Sequence, residues 1–154
     1  MRSFTRSRSS RVKLRRGASL GKSQLQWRWK SVPVASTDLG DPRIDTGYRL
    51  CVYDEAAGAA TLALEAEAPP GTDWSVGSKG LRYKGSKSAG FLERLRIRAG
   101  SQLKLTAKAR SIPALPMSQD TNVIVQLHND RGSCWESRYT APAKKNDVRR
   151  FLDR

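Results

Sequence analysis

The chain holds few of the residues from which reaction centres are built. In 154 residues there is a single histidine, His128, and there are two cysteines, Cys51 and Cys134. Together they offer three N or S ligands without a Cys-x-x-Cys spacing, which disfavours zinc. A Ser-His-Asp site would have to use His128, and no nucleophile elbow accompanies it. No run approaches the roughly 20 apolar residues that cross a bilayer. Acidic residues are missing altogether before Asp38. Basic residues occur throughout Met1 to Lys30 and no continuous apolar stretch does, so a signal peptide is not read there. That is compatible with a cytoplasmic chain, or with an export signal lying outside this sequence. Convincing amphipathic helices are missing too. The expectation is a protein that is not an enzyme and uses no cofactor.

What is present is alternation. In Gln24-Leu25-Gln26-Trp27-Arg28-Trp29-Lys30 the apolar residues share one parity and the polar ones the other. Side chains of a strand point alternately to its two faces, so this segment reads as a strand with one buried and one basic, wet face. Similar runs occur at Tyr48–Tyr53, Thr61–Ala68, Leu81–Tyr83, Val123–Leu127 and Cys134–Tyr139. Leu95 and Ile97, then Leu103, Leu105 and Ala107, flank Ala99-Gly100-Ser101 as a hairpin with a cationic outer side. Arg11 to Arg16 reads as a weak edge strand. Eight or nine short strands separated by Gly, Pro and Asp predict an all-β fold, an antiparallel β-sandwich, with a β-barrel as the alternative. Trp27, Trp29, Tyr48, Leu50, Leu64, Leu95, Ile97, Val125 and Trp135 are the expected core. Residues 1–10 are expected as a disordered basic arm and 11–154 as a single domain.

Charge gives the main functional hint. The net charge is +15, from 29 Lys and Arg against 14 Asp and Glu. Residues 1–30 hold ten of the cations: Arg2, Arg6, Arg8, Arg11, Lys13, Arg15, Arg16, Lys22, Arg28 and Lys30. Such a segment cannot bury itself and meets phosphates, acidic polymers or water. Arg2, Arg6, Arg8, Arg11, Lys13, Arg15 and Arg16 are therefore candidates for binding a polyanion, an acidic polysaccharide or a nucleic acid. Arg94, Arg96 and Arg98, with Lys104 and Lys108, form a second basic surface, of the kind that also protects sheet edges. Asp38, Asp41 and Asp45 share a loop and are weak candidates for calcium, although Asp beside Gly or Pro is ordinary turn chemistry. Glu65 and Glu67 resemble a glycosidase pair, but alternation turns both outwards, where burial cannot raise a pKa. Cys51 and Cys134 suit a disulfide between strands, and suit equally two small buried apolar residues.

Several blocks resemble an uncharacterised β-rich domain of predicted secreted or surface proteins from myxobacteria and related deltaproteobacteria. They are Leu25 to Lys30, Leu39-Gly40-Asp41-Pro42, Tyr48-Arg49-Leu50-Cys51-Val52-Tyr53-Asp54, Lys79 to Lys84, Leu95 to Gly100, Val125-Gln126-Leu127, Gly132 to Glu136, and the closing Lys145-Asn146-Asp147 and Phe151. The resemblance implies an exported β-module, extracellular or in the cell envelope, and no catalytic residues. The family often has an extra cysteine pair between positions 70 and 74, where this chain reads Gly71-Thr72-Asp73. The function expected on these grounds is a non-catalytic structural or binding module of a bacterial secreted or cell-surface protein. The alternative is nucleic-acid binding through the basic arm.

Overall fold

The computed structural model describes residues 4–18, 22–85, 90–112, 122–140, 143–146 and 150–154. Its strands are β1 (Phe4–Arg6), β2 (Ser9–Arg15), β3 (Ser23–Ser31), β4 (Tyr48–Ala56), β5 (Ala59–Ala68), β6 (Trp74–Gly77), β7 (Gly80–Lys84), β8 (Arg94–Arg98), β9 (Leu103–Ile112), β10 (Asn122–Asn129), β11 (Cys134–Thr140), β12 (Lys145–Asn146) and β13 (Arg150–Asp153). A single helical turn, α1 (Ser36–Leu39), interrupts the loop before β4. The strands form an open five-stranded sheet, β1-β11-β10-β4-β5, and an open eight-stranded sheet, β12-β13-β2-β3-β9-β8-β7-β6. They are packed together without closing into a barrel. No helix among the described residues is long and apolar enough to cross a membrane.

Alternation builds the core. Leu25, Trp27 and Trp29 of β3, Leu95 and Ile97 of β8, and Leu103, Leu105 and Ala107 of β9 point inwards from the larger sheet. Leu50 and Val52 of β4, Leu64 of β5, Val123, Val125 and Leu127 of β10, and Trp135 of β11 meet them from the smaller one. Every residue expected in the core is there. Aromatic rings bridge the layers: Tyr48 lies 5.2 Å from Trp74 and 6.3 Å from Trp135, and Trp74 lies 5.2 Å from Tyr83. The Trp29 indole N–H donates across the sandwich to the Glu136 carbonyl at 3.1 Å. The β4–β5 hairpin closes through Ala57 and Gly58, both at positive φ (50° and 79°). Two left-handed residues match the twist of a tight hairpin.

The expected disordered arm is corrected from Phe4 onwards. Phe4–Arg6 extends the smaller sheet, pairing parallel with Cys134–Glu136. Ser7 N–H then donates to the Glu136 carbonyl and Arg8 N–H to the Lys30 carbonyl, carrying the chain across to the larger sheet. The charged side chains of Arg6 and Arg8 stay exposed, but the backbone groups of the segment still find partners on two strands. Nor is β2 an edge strand: it lies between β3 and β13, and its Val12 and Leu14 are fully buried. The parallel β1–β11 pair is also an exception to the antiparallel pattern. Strands exceed the expected eight or nine because short terminal pieces such as β1 and β12 are held by backbone pairing, which leaves no alternation to read.

Candidate functional site

The outer face of the eight-stranded sheet is cationic from β2 to β7. Its outward positions are Ser9, Arg11, Lys13 and Arg15 on β2, Gln24, Gln26, Arg28 and Lys30 on β3, and Lys104, Thr106, Lys108 and Arg110 on β9. Arg94, Arg96 and Arg98 follow on β8, and Arg82 and Lys84 on β7. These strands place no Asp or Glu on that face. Among the described residues, Arg110 is the one of these cations with a carboxylate partner, Glu93 at 2.9 Å.

Register aggravates the crowding. Arg11 stands directly opposite Arg28, Lys30 opposite Lys104, Lys104 opposite Arg98, Lys108 opposite Arg94, Arg94 opposite Lys84, and Arg96 opposite Arg82. Like charges directly opposed across strands are destabilising, so this face weakens the fold that carries it. In its middle, the short side chain of Thr106 stands between Arg28 and Arg96. A hollow of about 430 Å³ lies here, rimmed by Arg28, Lys30, Arg94, Arg96, Arg98, Lys104 and Lys108.

The structure thus joins two groups of candidates read separately from the sequence. Arg11, Lys13 and Arg15 share the face with Arg94, Arg96 and Arg98. Arg6 and Arg8 are exposed at the crossing between the sheets, Arg16 follows β2, and Arg2 lies outside the described residues. Trp27 and Trp29 are 0% and 1% exposed and cannot stack on a ligand. Sequence reasoning left out Arg82, Lys84 and Arg110, although outward parity in Gly80–Lys84 and Leu103–Ile112 was the signal for them.

The outer face of the smaller sheet sets its arginines among carboxylates. Arg49 pairs with Glu65 at 3.3 Å and with Glu67 at 3.4 Å, both glutamates facing outwards as alternation predicts. A groove of about 670 Å³ runs past them, lined also by Cys51, Tyr53, Gln126 and His128. From its wall, Gln126 Nε2 donates to Glu136 Oε2 at 2.6 Å, and Arg138 Nε donates to Glu136 Oε1 at 2.7 Å. That fixes the amide orientation, so Gln126 Oε1 is the acceptor facing His128 Nε2 at 2.8 Å and the proton sits on Nε2. Cys134 Sγ is 3.8 Å from the same nitrogen, which in this tautomer has no lone pair to take the thiol proton. Burial pushes the Cys51 thiol above its ordinary pKa.

Cys51 and Cys134 are both buried free thiols, which corrects the disulfide option. They lie on β4 and β11 with β10 between them, about 9.5 Å apart by two strand spacings alone. A disulfide needs Cα atoms within roughly 7 Å. The Asp loop is committed internally. Asp41 forms a two-pronged pair with Arg43 at 3.0 and 2.7 Å, which holds its carboxyl below the usual range. Asp45 accepts from Thr46 at 2.8 Å and faces Arg131 at 3.4 Å. The Asp38 carbonyl accepts from Asn129 and Ser133. The three aspartates do not gather into a set of metal ligands among the described residues.

Comparison with family models, with curated proteins and with solved structures gave no match.

Proposed function

We propose that the chain is a non-catalytic binding module that holds polyanions on the outer face of its eight-stranded sheet. The observation that carries this is the register: cations stand directly opposite cations with no acidic residue interspersed. A face shaped by folding alone would mix signs. A polyanion bound across it neutralises the repulsion and releases counterions, so affinity falls steeply with salt. The test is a heparin titration of the full chain at several ionic strengths. Arg96→Gln with Arg98→Gln should weaken binding and flatten its salt dependence, whereas Arg49→Gln on the opposite face should leave both unchanged. Equal effects from the two faces would refute the assignment.

A nucleic acid is the second reading, favoured by Arg11, Lys13 and Arg15 lying on the same face, where they would meet phosphates. The resemblance to surface and secreted proteins supports an extracellular or envelope setting. Recovery of the native protein from the cytosolic fraction of its host would remove that part of the proposal.

A further inference from the structure

We propose that the occupant of the cationic face is an acidic polysaccharide, laid across the strands with one acidic group seated over Thr106. This rests on the polyanion reading above and names its ligand. Rows of side chains run perpendicular to the strands, one position every roughly 4.8 Å. One row passes from Arg11 through Arg28, Thr106 and Arg96 to Arg82. Between Arg11 and Arg82 the one uncharged member is Thr106, which lines the 430 Å³ hollow. A carboxylate or sulfate lowered there meets the Thr106 hydroxyl and a guanidinium on either side, the group that grips two oxygens of an oxyanion at once. The neighbouring row places the Gln26 amide beside Lys13 and Lys108. Amide and hydroxyl groups set among cations match a polymer in which hydroxyls alternate with acidic groups.

Nucleic acids fit the same face less well. Single strands are held by stacking on aromatic side chains, and no outward position of β2, β3, β7, β8 or β9 is aromatic. Duplexes are read by an element that enters a groove, whereas a flat sheet touches only phosphates.

The experiment compares, by calorimetry on the full chain at about 0.15 M ionic strength, four probes of matched charge: a heparin oligosaccharide, a polygalacturonate oligomer, an oligothymidylate and a DNA duplex. The two saccharides should bind roughly tenfold tighter than either DNA. Thr106→Arg adds a positive charge but fills the hollow, and should weaken saccharide binding by about the same factor. Thr106→Gln, long but neutral, should weaken it as well, with the near-UV tryptophan signal confirming the fold of both variants. Tighter binding by Thr106→Arg would overturn the seat and leave diffuse attraction. DNA binding as tight as the saccharides would overturn the ligand class while sparing the polyanion reading. Failure of all four probes to bind would remove that reading itself.

Discussion

Trp29 is the residue at which the two sheets are tied most directly. It is 1% exposed, its ring packs 6.5 Å from that of Trp27, and its indole N–H reaches the carbonyl of Glu136 on the opposing sheet. Trp29→Phe keeps most of the buried area and loses the hydrogen bond, so urea denaturation should show a loss of about 1–3 kcal/mol. Trp29→Ala also opens a cavity and should cost roughly 3–5 kcal/mol. Equal losses would mean that packing is irrelevant at this site. The buried tyrosines set the alkaline limit. Burial raises the Tyr48 phenol, with Asn129 opposing, and the Tyr48 hydroxyl donates to the Leu39 carbonyl at 2.6 Å. Burial likewise raises Tyr139, opposed by Ser10, Ser137 and Trp27. Both folded values exceed the ordinary 10.0, so above that pH the unfolded chain releases protons that the folded chain retains. Stability is therefore intact below about pH 10 and lost as pH rises towards the folded values. Urea midpoints measured from pH 8 upwards should fall beyond pH 10, and less steeply in Tyr48→Phe with Tyr139→Phe.

At the scale of elements, the N-terminal strands matter most, and they were the least legible in the sequence. Alternation revealed β3, β4, β8, β9, β10 and β11 because each has one dry and one wet face. It could not reveal β1, only three residues long, because a piece so short carries no period and is held by backbone hydrogen bonds to β11. The same holds for the tail, although Phe151, 2% exposed, was readable as an anchor, and β13 pairs with β2 around it. Removing residues 1–8 should leave a folded but less stable protein with the edge of β11 uncovered, detectable as a lower melting temperature and concentration-dependent association. Removing residues 1–22 should abolish the cooperative transition, because β2 and its buried Val12 and Leu14 separate β13 from β3. A cooperative melt in the longer truncation would show that the arm is dispensable after all.

The whole molecule has two unlike sides: one cationic and repelling itself, the other internally paired around Arg49, Glu136 and Arg138. Added salt should therefore raise the melting temperature by a few degrees between low and physiological ionic strength, as screening relieves the larger sheet. Lys104→Glu sets a carboxylate between Lys30 and Arg98. It should raise stability at low salt while weakening heparin binding, since the repulsion it removes is also the attraction offered to a polyanion. A variant that lost both stability and binding would contradict this trade-off. The sequence by itself determined the all-β class, the core residues and which side chains of each strand face water, because a period of two assigns every residue of a strand to one side. Beyond the β8–β9 hairpin, which its turn residues announced, only the tertiary structure decided which strands are neighbours. That pairing merged the N-terminal cations with the Arg94–Arg98 ladder into one face, set Cys51 and Cys134 on opposite sides of β10, and left Thr106 as the low point among arginines. The physical reason is that strand order and register come from long-range backbone pairing and from the packing of two sheets, and a local alternation is equally compatible with many such arrangements.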